Sequence, residues 1–313
     1  MKYIVTGANG FIGSYLCKFL LNQGKEVTGI SRKFLPGVSS SLRGANLIEM
    51  DILANEMNQL RLEGDILIHL ATPNEIISKD IRKALELSVI GTLNTLKLAE
   101  KNKIGKYIFF STRQVYGNEL SGSYNEQTPV KPEDDYPLNH LFGELYVESF
   151  SRKSGLKTLV VRPSNVYGCP LTKEINRWNL IPGSFCKEGV EKGTITLLSS
   201  GKQRRNFISL EHISQATVQA ASQMKNGFDI LNFVSSEYLS MIQIAELTQQ
   251  IFKNKFDQQV ELLIKNDHPL KGESFSISLE KLHQWNINTT PLEGHRMENE
   301  IENIIGLLKH HAL

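Results

Sequence analysis

The sequence has few cysteines, and they are spaced without a metal-binding or redox motif. Cys17, Cys169 and Cys186 are far apart, and no CxxC pair is present. An odd number of scattered thiols argues against a disulfide framework and against a zinc site, and it favours a reducing compartment. We therefore expect no bound metal. Cys17 falls in an apolar helical pattern and is expected to be a core thiol.

The sequence also lacks an excess of charge of either sign. Its 313 residues include 35 Lys and Arg against 33 Asp and Glu, a formal net charge of +2. This balance does not favour nucleic acid or an anionic membrane as a partner. No apolar run reaches the length of a membrane span, and the first predicted strand begins at residue 2, which leaves no room for a signal peptide. We expect a cytoplasmic protein.

The most informative stretch that is present is a glycine-rich turn near the N-terminus. An apolar run at 3–5 predicts a strand, and the periodic segment 11–21 predicts a helix directly after the turn. One glycine permits the turn, the second lets backbone approach a pyrophosphate, and the third lets the helix pack near the strand. The helix would direct its first N–H groups at the phosphates. The predicted dinucleotide-binding residues are Gly7, Gly10, Phe11, Ile12 and Gly13.

Predicted strands alternate with helical segments along the first half of the chain. This order indicates right-handed βαβ units and a doubly wound, Rossmann-type parallel sheet, whose ligands bind outside the carboxyl ends of the strands. From Pro163 onwards the elements become shorter and less regular. We expect an α/β dinucleotide-binding domain at 1–167 and a smaller C-terminal substrate-binding lobe at 168–313, with about 206–224 returning to the main domain. The further strands and helices are predicted at 26–30, 46–50, 65–70, 79–101, 106–110, 137–154 and 157–162.

The end of the second predicted strand bears on the choice of dinucleotide. An acid there would bond the ribose 2′-hydroxyl and repel a 2′-phosphate, whereas cations accommodate the phosphate. The sequence has Ser31, Arg32 and Lys33 at this point. We expect NADP(H) to be preferred, with NAD(H) possible, although the two cations could instead be solvated surface charges. Asp51, after the third strand, could accept a hydrogen bond from the adenine amino group.

Three side chains could meet at the mouth of the sheet. Thr112 follows the fifth strand, Tyr136 heads the next helix, and His140 lies one turn further on the same face. A tyrosine can serve carbonyl–alcohol chemistry as acid or base when a neighbouring cation lowers its pKa, and a hydroxyl can hold the substrate oxygen. From these residues alone, an ordinary helix-start tyrosine and a strand-end hydroxyl are the simpler interpretation.

Motifs along nearly the whole chain change that interpretation. They resemble the extended short-chain dehydrogenase/reductase family, in particular its nucleotide-sugar epimerases, dehydratases and reductases. The resemblance lies in TGANGFIG at Thr6–Gly13, HLAT at His69–Thr72, SVIGTLNTLKLAE at Ser88–Glu100, FFSTRQVYG at Phe109–Gly117, VRPSNVYG at Val161–Gly168, WNLIP at Trp178–Pro182 and RRNFISLEHIS at Arg204–Ser214.

The resemblance implies a nucleotide-diphospho-sugar substrate and a homodimer formed through the two long helices. It places Thr112 at the catalytic Ser/Thr. The substrate would meet Asn165, Asn179, Leu180 and Arg205, and the cofactor would also meet Ile52, Leu70, Ala71, Thr72, Pro163, Tyr136 and His140. Arg113 stands where the dehydratases of the family carry an acid, so a 4,6-dehydratase is less expected, and we expect the Arg113 side chain to project into the cleft.

The sequence departs from the family at the Y-x-x-x-K pattern. The register set by Gly155 and Leu156 puts Tyr136 on the tyrosine and His140 on the lysine, whereas a rival register through Tyr146 spoils the spacing. His140 could be protonated by a nearby acid and replace the lysine. It could be neutral, with Tyr136 donating its proton as an ordinary phenol. The site could also be impaired.

A neutral His140 suits reduction better than oxidation. We therefore predict an NADP(H)-dependent reduction of a keto group on a nucleotide-diphospho-sugar, with Tyr136 as proton donor. One alternative is an NAD-dependent nucleotide-sugar epimerase. The other is a catalytically impaired protein that binds the dinucleotide and the nucleotide sugar.

Overall fold

The computed structural model describes residues 1–117, 122–266 and 275–309. The strands are β1 Lys2–Thr6, β2 Glu26–Ser31, β3 Asn46–Glu49, β4 Ile66–His69, β5 Lys106–Phe110, β6 Gly122–Tyr124, β7 Lys157–Pro163, β8 Asn165–Tyr167, β9 Thr194–Leu197, β10 Arg204–Ser209, β11 Phe228–Phe233, β12 Tyr238–Ser240, β13 Glu261–Ile264 and β14 Phe275–Ile277. The α-helices are α1 Phe11–Asn22, α2 Pro36–Ser41, α3 Ile81–Leu85, α4 Thr92–Lys101, α5 Asp135–Ser154, α6 Gly183–Lys192, α7 Leu210–Gln223, α8 Met241–Phe256, α9 Glu280–Gln284 and α10 Met297–Lys309.

A seven-stranded parallel sheet forms the centre of the molecule. Its strand order is β11-β7-β5-β4-β1-β2-β3, so the direction of winding reverses between β1 and β4. In this register Val5 of β1 lies between Gly29 of β2 and Ile68 of β4. Ligands of such sheets bind at this reversal point, outside the carboxyl ends of the strands. The predicted α/β fold class is confirmed.

Alternate residues of the central strands enter two separate cores. Val5 packs on one face, with α1 and α7, while its neighbour Ile4 packs on the other face, with α4 and α5. Burial on both faces explains why the strand segments read as continuous apolar runs. Helix α5 lies very close to β5, because a Cβ atom on Gly143 would be 2.3 Å from the ring of Phe109. This close packing fixes the start of α5 at the mouth of the sheet.

The predicted helix over 79–101 is interrupted. The structure has a 3₁₀ turn at Ile77–Lys79, then α3, a π-helical turn at Glu86–Gly91, and α4. Asp80 begins α3, since its carboxylate accepts a hydrogen bond from the backbone of Lys83 at 3.1 Å. The π-turn ends at Gly91, where a Cβ atom would be 2.6 Å from Ile52. The Ile52 side chain, in the loop after β3, therefore packs directly against Gly91 and would have to shift if a larger residue stood there.

The C-terminal part builds a further core over one end of the sheet. Helices α6, α8 and α10 enclose apolar residues together with the parallel pair β9–β13 and the sheet β12-β10-β8. Helix α7 packs against α1, within the predicted return of 206–224. Strand β11 also joins the central sheet, beside β7. The division into domains at 167 stays a prediction. Residues 228–233 also return to the main domain, because they form β11 of the central sheet.

Candidate active site

A cleft of about 710 Å³ opens at the carboxyl ends of the central strands. The glycine turn, the loop after β4, the end of β5, the start of α5 and the segment before α6 line it. Most of the predicted site residues meet there, namely Gly7, Gly10, Phe11, Ile12, Gly13, Leu70, Thr72, Thr112, Arg113, Tyr136, His140, Pro163, Asn165, Asn179, Leu180 and Arg205. Residues far apart in sequence therefore converge on one cavity.

The other predicted cofactor residues lie outside this lining. They are Ser31, Arg32, Lys33, Asp51, Ile52 and Ala71. Arg32 and Lys33 are exposed just after β2. The side chain of Ile52 is buried in the core, and its carbonyl accepts a hydrogen bond from Asn94 at 2.8 Å. Asp51 accepts one from the backbone of Leu53 at 3.0 Å. The roles proposed for these residues stay predictions.

The glycine turn has the geometry that a dinucleotide pyrophosphate requires. Gly7 adopts a φ of 73°, and a Cβ atom on it would be 2.8 Å from the backbone of Leu70. A Cβ atom on Gly13 would be 2.3 Å from the carbonyl oxygen of Gly7, so α1 starts in direct contact with β1. Gly10 caps α1 without a side-chain hydrogen bond. The first-turn amides are therefore left to bind an anion in the cleft.

Thr112 and Tyr136 form the polar floor of the cleft. Thr112 is 6% exposed and begins a 3₁₀ turn, where its hydroxyl accepts a hydrogen bond from Gln114 at 3.3 Å. Burial raises the pKa of Tyr136 above its ordinary value, while the Thr112 hydroxyl and the cations Arg177 and Arg113 oppose that rise. Tyr136 is therefore a protonated phenol at neutral pH.

His140 stacks edge-on against Tyr136, with ring centroids 4.8 Å apart. Burial lowers the pKa of His140 to about 4, against a smaller opposing effect of the backbone carbonyls of Pro73 and Phe110. The ring is therefore neutral at pH 7, which is the second of the three possibilities that the sequence left open. Its Nδ1 atom is buried and has no hydrogen-bond partner among the described residues. His140 lines the cleft together with the glycine turn, so the site fits a nicotinamide dinucleotide.

A buried ion pair holds α5 against β5 and β7. Glu144 and Arg162 are each 3% exposed, and their closest atoms are 2.5 Å apart. Ser111 also donates a hydrogen bond to Glu144, and Arg162 donates one to the hydroxyl of Tyr116 at 2.9 Å. Sequence analysis assigned Glu144 no role. The structure shows that it positions the helix that carries Tyr136.

A second charged group lies on the opposite wall of the cleft. Glu75, after β4, accepts a hydrogen bond from Asn179 at 2.8 Å and pairs with Arg177 at 3.1 Å. Burial alone would raise the pKa of Glu75, but Arg177 and its hydrogen-bond donors hold it below its ordinary value. The segments 72–75 and 173–178 are about a hundred residues apart in the sequence, and the structure shows that they are joined.

Two further arginines lie in the cleft. Arg205, on β10, and Arg113, after Thr112, both line it, and burial lowers the pKa of both guanidinium groups, that of Arg113 to about 10. The guanidinium of Arg113 lies 5.9 Å from the ring centroid of Phe275. The cleft therefore has a basic side that faces the tyrosine.

Comparison with known proteins agrees with this geometry. The UDP-glucuronic acid 4-epimerase of Bacillus cereus, solved with UDP-glucuronic acid and NAD, superposes with a TM-score of 0.83 at 25% identity, covering 98% of this chain and 100% of that one. Human dTDP-D-glucose 4,6-dehydratase is 27% identical over 300 residues, which are 90% of this chain and 83% of the human protein. The UDP-N-acetyl-alpha-D-glucosaminuronate decarboxylase of Bacillus cytotoxicus is 30% identical over 271 residues, with 80% of each chain covered.

The chain belongs to the NAD dependent epimerase/dehydratase family, whose sequence profile matches residues 3–232. The predicted family and the prediction of an enzyme are confirmed. The structural relatives contain NAD, which supports NAD(H) as the cofactor class. The preference for NADP(H), the homodimer and the cytoplasmic location stay predictions.

The described ranges hold neither a membrane-spanning helix nor a metal cluster. Within 1–117, 122–266 and 275–309, no helix is both long and apolar enough to cross a membrane. Within the same ranges, no three His, Cys, Asp or Glu side chains are grouped so that they could hold a metal ion. All three cysteines are free thiols.

Proposed function

We propose that the protein is an NAD-dependent epimerase that acts on a nucleotide-diphospho-sugar. The observation that carries this proposal is the placement of Thr112 and Tyr136 in one cleft with the glycine turn, opposite Asn179 and Arg205. In this cleft the nicotinamide of NAD and the sugar of a nucleotide sugar would meet at Tyr136. The NAD and UDP-sugar complexes of the structural relative support the same assignment.

NAD supplies hydride acceptance and return when it is bound. In its ionised form Tyr136 would take the proton of the sugar hydroxyl as the same carbon gives up a hydride to bound NAD, so the alcohol would lose two electrons and become a ketone. Thr112 hydrogen-bonds the reacting oxygen throughout. Tyr136, then protonated, would give the proton back when the ketone is reduced on its opposite face, so no net oxidation would occur. His140 lines the same cleft and would hydrogen-bond the nicotinamide ribose.

A second candidate is the NADP(H)-dependent reduction of a keto sugar. It is favoured by the protonated state of Tyr136, because a neutral phenol can donate a proton but cannot accept one. A dehydratase is disfavoured, since Arg113 stands where an acid is expected.

The two candidates differ in their use of reducing equivalents. The protein is incubated with NAD and UDP-glucose or UDP-glucuronic acid, the products are separated by chromatography, and absorbance is followed at the nicotinamide band. An epimer formed without net NADH supports the epimerase. Stoichiometric oxidation of NADPH with a keto sugar, and no epimer, supports the reductase. Binding of all ligands without any product supports the impaired binding protein.

The cofactor preference can be measured directly. Because Arg32 and Lys33 are exposed and do not line the cleft, we expect NADH to bind at least as tightly as NADPH. The double variant Arg32→Gln, Lys33→Gln should change either affinity by less than about fivefold, as expected for solvated charges. Nicotinamide fluorescence titrations give both constants. Much tighter NADPH binding that the double variant abolishes would favour the reductase.

The substitution His140→Lys should shift the pH dependence of turnover. Tyr136 accepts a proton only when ionised, and its ionised fraction rises with pH, so the native rate should increase from pH 6 to 9. The ammonium group that the substitution introduces lowers the Tyr136 pKa, and each unit of that fall raises the ionised fraction at pH 7 about tenfold. We expect the rising limb of kcat in His140→Lys to move to lower pH.

His140→Asn is the matched control for this shift, because it keeps a neutral, hydrogen-bonding side chain. It should leave the rising limb in place and change only cofactor affinity. Identical pH profiles for His140→Lys and the native protein would contradict the assignment of His140 beside the base.

A further inference from the structure

Unlike Arg162 and Arg177, Arg113 has no acidic partner among the described residues; Arg205 has none either, and the family resemblance assigns Arg205 to the nucleotide diphosphate. Arg162 pairs with Glu144 at 2.5 Å, and Arg177 pairs with Glu75 at 3.1 Å. The Nε atom of Arg113 is inaccessible to solvent and has no hydrogen-bond partner among the described residues. Its guanidinium stacks near Phe275. Arg113 is partly exposed in the cleft and faces no carboxylate among the described residues, so a ligand anion would supply its counter-charge.

The position of Arg113 suggests which part of the ligand carries that anion. Arg113 directly follows Thr112, and its guanidinium is close enough to Tyr136 and to Arg205 to interact electrostatically with both. In the proposed function the reacting carbon lies at Thr112 and Tyr136, and Arg205 binds the diphosphate, the role that the resemblance of RRNFISLEHIS to the family implies. The sugar ring between them therefore runs alongside Arg113. A substituent next to the reacting carbon is the group within its reach.

We infer that the sugar of the substrate carries a carboxylate and that Arg113 binds it. This inference rests on the proposed function and narrows its substrate class to acidic nucleotide sugars. The planar fork of a guanidinium matches the two oxygens of a carboxylate. An uncharged hydroxymethyl group at the same place would leave Arg113 without a counter-charge. The competing assignment is that Arg113 binds the diphosphate. Ligands that differ only in the sugar distinguish the two assignments.

The test compares UDP, UDP-glucose and UDP-glucuronic acid as ligands. Each is titrated by calorimetry into the protein in the presence of NAD. We expect the native protein to bind UDP-glucuronic acid about 10–100-fold more tightly than UDP-glucose, the range of one charged hydrogen-bonded contact. Arg113→Gln should remove that advantage and change the affinity for UDP and UDP-glucose by less than about threefold.

Arg113→Lys provides a second variant that keeps the charge but loses the fork. It should retain part of the preference for UDP-glucuronic acid, and it gives the same comparison if Arg113→Gln does not fold. Arg32→Gln is the control at an exposed arginine outside the cleft lining. Its loss should not change the ratio between UDP-glucuronic acid and UDP-glucose.

Two results would overturn the inference. If Arg113→Gln weakens UDP as much as UDP-glucuronic acid, Arg113 binds the diphosphate. If the native protein binds UDP-glucose as tightly as UDP-glucuronic acid, no carboxylate site exists. In both cases UDP-glucose still binds and the proposed function stands. Failure of all three ligands to bind would instead remove the proposed function and this inference together.

Discussion

Tyr136→Phe should lower kcat about 10²–10⁴-fold, the usual contribution of a positioned acid–base group. The phenylalanine ring keeps the edge-on contact with His140 and removes only the hydroxyl beside Thr112. Affinity for the nucleotide sugar should fall by no more than about fivefold, since one neutral hydrogen bond is lost. Steady-state kinetics and calorimetry measure the two quantities separately.

Tyr146→Phe is the matched control on the same helix. Tyr146 is the tyrosine of the rival register, and it is 39% exposed, away from the cleft. Its substitution should leave turnover unchanged and alter the free energy of unfolding by less than about 0.5 kcal/mol. If Tyr146→Phe loses activity and Tyr136→Phe does not, the register of the Y-x-x-x-K pattern is wrong.

Glu144→Gln should lower the free energy of unfolding by about 3–5 kcal/mol, because it leaves the buried charge of Arg162 without its counter-charge. The remaining hydroxyl partner of Arg162, Tyr116, is neutral and cannot replace the carboxylate. The start of α5 should also move, so turnover should fall in the fraction that stays folded. Urea unfolding followed by circular dichroism gives the stability, and kinetics at low temperature give the activity.

The same helix offers an exposed ion pair as control. Glu148 and Arg152 are also 2.5 Å apart, but the Arg152 side chain is 75% exposed. Glu148→Gln should therefore cost less than about 1 kcal/mol. Replacing both buried partners, as Glu144→Leu with Arg162→Met, should recover much of the loss from Glu144→Gln. Equal effects of Glu144→Gln and Glu148→Gln would show that burial does not matter at this pair.

The fold could be predicted because its signals are local. A strand period that changes to a helix period across Gly7, Gly10 and Gly13 depends only on neighbouring residues. The same holds for the apolar run of β4 and for the helix ended by Gly155, which adopts a left-handed conformation. The carboxyl edge of the sheet, and most residues that line the cleft, followed from that alternation and from motifs of the family.

The chemical state of the site depends on contacts between distant segments. His140 is neutral because the surrounding segments bury it, and the sequence pattern of α5 does not indicate that burial. Glu75 and Arg177 pair across about a hundred residues, and Ile52 packs against Gly91 from another loop. Likewise, only the three-dimensional structure shows that the Nε atom of Arg113 has no hydrogen-bond partner among the described residues.

The amino-acid sequence alone was therefore enough to predict the architecture and the position of the cleft, because turn geometry and periodicity depend on residues close together in the chain. Protonation, ion pairing and the choice between Arg113 ligands required the folded molecule, because desolvation and electrostatic interactions act through space and depend on what packs against each group.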